Sequence, residues 1–222
     1  MISGGNRGIG AALARRFAAD GWALSLGVRE PAKADAPAGA FVQHYDAERL
    51  ETGTAWVQAT LDRFGRVDAL ACNSGTADTV TLADATPEQF DRMVAINTRA
   101  PFFLVQAALP ALQACSRGRV VVVASLSGKR ARNLNAGYQV TKFAAVGLAH
   151  AVRRTGWDSG IRAVAVCPSY VRTRMGLQSG TVDPAAVTDP DELAGLVHHV
   201  VTLSNTASIA ELVVNCAFEP VF

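Results

Sequence analysis

No run of about 18 apolar residues, the length needed to cross a bilayer, occurs in the chain, and no basic segment followed by a short apolar one opens it. Neither a membrane span nor a secretory leader is therefore expected. A dominant charge is also missing: 21 Lys and Arg stand against 19 Asp and Glu, a net +2. That leaves no basic footprint for nucleic acid or for an anionic membrane surface. Cysteine is scarce and scattered. Cys72, Cys115, Cys167 and Cys216 include no C-x-x-C pair, which argues against a disulfide framework and against a zinc site. Most of them lie in or beside apolar runs, where a thiol acts as a small hydrophobe, and free thiols fit a reducing cytoplasm. His44, His150, His198 and His199 show neither ligand spacing nor a Ser-His-Asp partnership, so no metal is expected.

The chain does have enough apolar matter for one well-buried domain spanning residues 1–222, half the composition being hydrophobic. Short β-branched or apolar runs at 22–28, 41–45, 67–72, 119–124, 161–167 and 210–215 alternate with helical stretches at 11–20, 47–64, 86–98, 137–154 and 189–204. Pro101 and Pro110 are expected to bend or interrupt any helix continuing past residue 98, and residues 31–39 read as a loop. Alternation of this kind predicts an α/β domain with a doubly wound parallel sheet, its site outside the carboxyl ends of the strands.

Three side chains at such an end can do proton chemistry together. Ser125 closes the run at 119–124, and Tyr138 and Lys142, four apart, share one face of the next helix. A tyrosine titrates near pH ~10, and a cation within a few ångströms lowers such a value, so Lys142 is expected to pull Tyr138 toward working pH. Ser125 would donate to an oxygen on which negative charge grows. Taken alone, a Tyr and a Lys four apart also describe any exposed helix face. Near the start, Gly4, Gly8 and Gly10 precede a helix in the spacing GxxxGxG, which allows a tight turn and lets a pyrophosphate approach the helix N-terminus. Only Met1 and Ile2 precede this turn as a first strand.

Ser125, twelve intervening residues and Tyr138-Gln139-Val140-Thr141-Lys142, together with the glycine turn, resemble the signature of the classical short-chain dehydrogenase/reductase family. The resemblance implies a Rossmann-like fold and a Ser-Tyr-Lys-Asn catalytic set of Ser125, Tyr138, Lys142 and Asn97, the last supporting a proton relay. It also implies cofactor contacts from Gly4, Asn6, Arg7, Gly8, Ile9 and Gly10, and from Asn73 and Gly75 of a turn in which Cys72 and Ser74 replace the family's residues. Tyr138 and Lys142 would touch the cofactor too. Asp46 resembles the adenine-contacting aspartate, and it can equally cap the following helix. Pro168, Val171 and Thr173 match a motif that receives the nicotinamide, with Ser169 in place of its glycine. Residues 174–190 stand where the family has its substrate lid, and this one is short.

An acid after the second strand would hold a ribose 2'-hydroxyl, whereas Arg29 stands there and can pair with a 2'-phosphate, as can Arg7. NADP is therefore expected over NAD. The expected reaction is hydride transfer between a small carbonyl compound and its secondary alcohol. The alternative is a catalytically silent nucleotide sensor or scaffold on the same fold. Phe143, Ala144, Gly147, Leu148 and Ala151 form a face on which two copies can pack, and the resemblance implies a homodimer or homotetramer. Lys129, Arg130 and Arg132 read as a solvated loop, with attraction of an anionic substrate as the other possibility.

Overall fold

A computed structural model describes residues 1–178 and 182–220. Seven parallel strands form one sheet: β1 (Ile2–Ser3), β2 (Ser25–Val28), β3 (Phe41–His44), β4 (Ala69–Cys72), β5 (Arg119–Val123), β6 (Arg162–Pro168) and β7 (Glu211–Val214). Their order is β3-β2-β1-β4-β5-β6-β7, so the direction of winding reverses between β1 and β4 and opens a crevice there. The expected doubly wound sheet is present.

The brevity of β1 does not displace it from the middle. Ile2 pairs with Leu26 on one side and Ala71 on the other. The flanking backbone extends the ladder, Gly4 N–H donating to the Gly27 carbonyl at 2.8 Å and Ala71 N–H to that of Met1 at 2.8 Å. Helices α1 (Gly8–Ala19) and α7 (Pro190–Thr202) cover one face, where Leu13, Phe17, Leu26, Val121, Val164, Leu193 and Val197 are buried together. On the other face lie α2 (Leu50–Phe64), α4 (Ala100–Ala114) and α5 (Ala136–Gly156), around Trp56, Leu70, Leu104, Val120 and Ala149. With helices on both sides, β5 and β6 are apolar almost throughout, as buried parallel strands require. The exceptions are the arginines that open them, Arg162 and Arg119, and the guanidinium of Arg119 donates to the Val201 carbonyl at 3.1 Å and the Leu203 carbonyl at 2.7 Å. It thereby caps the carboxyl end of α7.

Local departures from expectation have local causes. α2 begins at Leu50 rather than 47, because Asp46 Oδ1 accepts from Glu48 N–H at 3.0 Å and holds a turn in front of the helix. The loop after β2 contains one 3₁₀ turn, Pro31–Lys33. Pro110 lies inside α4 without ending it, and Pro101 sits in the first turn of α4. The irregularity falls earlier: α3 (Pro87–Val94) passes into α4 through a π-helical turn, Ala95–Arg99, in which Ala100 N–H reaches back to the Ala95 carbonyl. Pro101 has no N–H to offer the carbonyl four residues before it, so the wider turn ahead of it disrupts little that was available. Beyond β6 come the short helix α6 (Arg174–Leu177) and a 3₁₀ turn, Pro184–Ala186. The middle of the expected lid, 179–181, lies outside the described residues.

Candidate active site

Ser125 leaves β5 in extended backbone, and its Oγ accepts from Ser127 N–H at 3.1 Å, capping a 3₁₀ turn (Leu126–Gly128). That turn packs directly on α5, since a Cβ at Gly128 would lie 2.7 Å from the Lys142 carbonyl carbon. The start of α5 is fixed by Asn135. Its Oδ1 accepts from Val80 N–H at 3.0 Å and caps the helix at Tyr138 N–H, while its Nδ2 donates to the Asp78 carbonyl at 3.0 Å. Ser125 and the α5 face carrying Tyr138 and Lys142 are thus brought together, the Ser125 hydroxyl acting on the Tyr138 phenol.

Burial, more than charge, governs these groups. Desolvation of this half-buried side chain raises the Tyr138 pKa above the ordinary phenol value, the nearby Ser125 hydroxyl only partly opposing it. The expected depression by Lys142 is therefore not what the fold produces. The Lys142 ammonium donates to the Val123 carbonyl at 2.9 Å, lies 5.5 Å from the Tyr138 ring centroid, and is itself pushed down to about 8 by burial. Tyr138 accordingly holds its proton.

Asn97 sits in the π turn, 4% exposed. Its amide makes a two-point pairing with the Thr76 backbone, Oδ1 accepting from N–H and Nδ2 donating to the carbonyl, each at 2.9 Å. Nδ2 also reaches Thr141 Oγ1 at 3.1 Å, and Thr141 in turn donates to the Tyr138 carbonyl at 2.9 Å. Gly75 completes the convergence: a Cβ there would lie 3.2 Å from Asn97 Oδ1 and 3.8 Å from Lys142 Nζ.

The glycine turn occupies the crevice between β1 and β4. Gly4 and Gly8 adopt φ of 65° and 52°, a region that side chains disfavour. At Gly10 a Cβ would lie 2.6 Å from Asn73 Nδ2 and collide with the Gly4 carbonyl. Asn73 braces the turn by donating from Nδ2 to the Ser3 carbonyl at 2.9 Å. Ser3 Oγ accepts both Asn73 N–H at 2.9 Å and Ser74 N–H at 3.0 Å. This role of Ser3 has no signal in the sequence, because nothing there pairs residue 3 with residue 73. Asn6, Arg7 and Ile9 line the opening of α1, with Arg7 at its N-cap. Gly8 faces Thr173, whose Oγ1 accepts Gly176 N–H at 3.1 Å and caps α6. Pro168 ends β6, and Val171 is buried in a bridge to Thr188. Ser169 keeps a regular backbone bond, N–H to the Val214 carbonyl at 2.8 Å. Arg29 is exposed just past β2, and the acid beside it, Glu30, is engaged by Lys33 at 2.5 Å. A narrow glycine cradle, a helix N-terminus and exposed arginines fit a dinucleotide.

One expectation is corrected: the loop cations are not simply solvated. Lys129 Nζ pairs with Glu211 at 2.5 Å, and Arg130 Nε donates to Glu219 Oε2 at 2.8 Å, partners more than 80 residues away.

The model of the short chain dehydrogenase family matches residues 1–182. An agropine synthesis reductase of Rhizobium rhizogenes is 36% identical over 227 residues, covering 100% of this chain and 53% of that protein. The chain thus spans about half the length of such relatives. A 3-oxoacyl-(acyl-carrier-protein) reductase of Mycobacterium bovis is 30% identical over 89% of this chain and 82% of its own length. Among solved structures, an alcohol dehydrogenase from the archaeon Thermococcus sibiricus, complexed with 5-hydroxy-NADP, superposes with a TM-score of 0.87 at 28% identity, covering 98% of this chain and 96% of that one. The glycine turn, the strand order and these likenesses agree, and the chain belongs to the short chain dehydrogenase family.

Proposed function

We propose that this domain is an NADP-dependent oxidoreductase interconverting a carbonyl and a secondary alcohol. The observation that carries the reading is the convergence of Ser125, Tyr138, Lys142 and Asn97 beside a glycine cradle. When bound, the nicotinamide supplies the hydride. The protein's own residues handle the oxygen and its proton. Tyr138, held protonated by desolvation, donates to the carbonyl oxygen as charge develops there, and Ser125 donates a second hydrogen bond to the same atom. Lys142 carries a charge below about pH 8, placed to steady a phenolate and to hold the nicotinamide ribose. Asn97, clamped by Thr76 and Thr141, would support a relay water that returns the proton. Consumption of NADPH against a panel of aldehydes and ketones tests the proposal. Binding of NADPH without turnover of any of them would leave a nucleotide-binding scaffold instead.

Arg29 and Arg7 support NADP over NAD, and two similar solved structures are complexes with NADP or its hydroxylated form. A charge-assisted bond to the 2'-phosphate contributes roughly 1.5–3 kcal/mol, so NADPH should bind at least about tenfold tighter than NADH, and Arg29→Asp should reverse the order. Equal dissociation constants in the unmodified protein would refute this.

The domain acts as a homodimer or homotetramer in the same reading. Phe143 (48% exposed) and Phe102 (50%) stay open on α5 and α4, and Gly147 has nothing near its Cβ position. Light scattering should give at least twice the chain mass at micromolar concentration, and a monomer would reject the interface. The four unpaired cysteines agree with a cytoplasmic setting. Among the described residues no helix is long and apolar enough to cross a membrane.

A further inference from the structure

Between Ser125 and Tyr138 the chain makes a loop rich in cations, and the tail after β7 comes to meet it. The loop is anchored to the turn that Ser125 caps, Arg130 N–H donating to the Leu126 carbonyl at 3.2 Å. The tail passes the end of β6, where Cys216 Sγ approaches Ser169 Oγ at 3.5 Å, and then places Glu219 on the loop. Glu219 Oε2 accepts from Arg130 Nε at 2.8 Å and from its terminal nitrogen, and lies 3.4 Å from Arg132. The Glu219 side chain is 5% exposed, Arg130 is 15% exposed and Arg132 is 66% exposed. The other loop cation, Lys129, is engaged by Glu211, which also meets His150 at 2.8 Å.

This arrangement does more than neutralise charge. Arginine's fork is built to take both oxygens of a carboxylate, yet these contacts use only one oxygen of Glu219. Arg132 keeps most of its surface in solvent at the side of the sheet where Ser125 and Pro168 end their strands. We propose that Arg130 and Arg132 form a carboxylate-binding subsite at the mouth of the active site, and that Glu219 of the chain's own tail competes for it with carbonyl substrates that carry a carboxylate. The proposal rests on the oxidoreductase reading for the word substrate, and on the tail geometry for everything else. It makes Glu219 a specificity-determining residue: while its carboxylate is seated, neutral carbonyl compounds are favoured, and a second carboxylate must displace it or share the pair. The same competition draws no line between neutral substrates, since these make no claim on a guanidinium.

Calorimetric titration separates the two ideas, because binding of a ketone in the presence of NADP⁺ needs no turnover. A 2-oxo acid and its methyl ester, identical except for the charge, are titrated into the unmodified protein, Glu219→Gln and Glu219→Ala. Both variants should bind the acid about tenfold tighter and the ester unchanged, and adding Arg130→Met with Arg132→Met to either should abolish the gain. An acid-to-ester affinity ratio that does not move in either variant overturns the proposal. So does a gain that survives loss of both arginines, which would mark a general charge effect. Failure of the ester to be reduced by the unmodified protein with NADPH counts against the oxidoreductase reading alone.

Discussion

Tyr138→Phe is expected to lower turnover by at least ~10²-fold, and by up to ~10⁴-fold, because a positioned acid-base group contributes on that scale. Only the phenolic oxygen is removed. The ring stays packed against Lys142, whose ammonium keeps its bond to the Val123 carbonyl, so cofactor affinity and melting temperature should change little. A raised phenol pKa sharpens the expectation for direction. The residue rests protonated, and it is poised to give a proton to a carbonyl before it is poised to take one from an alcohol. Initial rates and calorimetry on the same preparation check the claim, and near-normal turnover by the variant on a substrate that the parent reduces would sink the mechanism.

Lys142→Met should behave differently in two measurements. Turnover and cofactor affinity should fall together, since the charge beside Tyr138 and the proposed ribose contact go at once. Stability should move the other way at neutral pH. Unfolded, this lysine keeps its proton up to about 10.5, and folded it holds one only up to about 8. Below 8 the charged amine is therefore carried at a cost, on the order of 3 kcal/mol when each tenfold change in proton affinity is worth about 1.4 kcal/mol. Between 8 and 10.5 the unfolded chain binds more protons than the folded one, so the group's contribution to stability rises with pH across that window. Cys72 works against this at higher pH, because burial pushes its thiol up to about 12 and unfolding releases the proton earlier. The difference between parent and variant removes that background. Denaturant titrations of both from pH 7 to pH 11 should show the variant more stable at the low end and the gap closing toward the high end, and a constant gap would contradict the assignment.

The strands and the order of the elements are legible in the sequence because a buried parallel strand must be apolar nearly throughout: Val120-Val121-Val122-Val123 admits little else. The glycine turn is legible for the same kind of reason, a steric demand that one residue type meets. What escapes is pairing at a distance. Asn73, Asn97 and Arg130 stand out in the sequence, but their partners Ser3, Thr76 and Glu219 do not, and only the fold brings each pair together. The electrostatic expectation for Tyr138 failed on a related point. Spacing along a helix tells which side chains are neighbours, but the depth at which that face is buried belongs to the sheet beneath it, and depth decides the sign. Proline reading missed position at Pro101, where the irregular turn precedes it, and failed at Pro110, which α4 absorbs without ending.

The turn at Ala95–Arg99 has a consequence for what mutation can do to this chain. A π turn carries more residues per loop than the α-helix on either side, so dropping one residue there would let α3 run into α4 with α-helical bonding interrupted only at Pro101. The result would be locally more regular. Because the wider turn itself takes up the extra residue, α3 and α4 would keep their orientation, and the loss would fall on the turn, where the hold of Asn97 on Thr76 and Thr141 would have to be rebuilt with one residue fewer. Helical regularity and a correctly aimed amide are alternatives at this point, and the chain holds the less regular one.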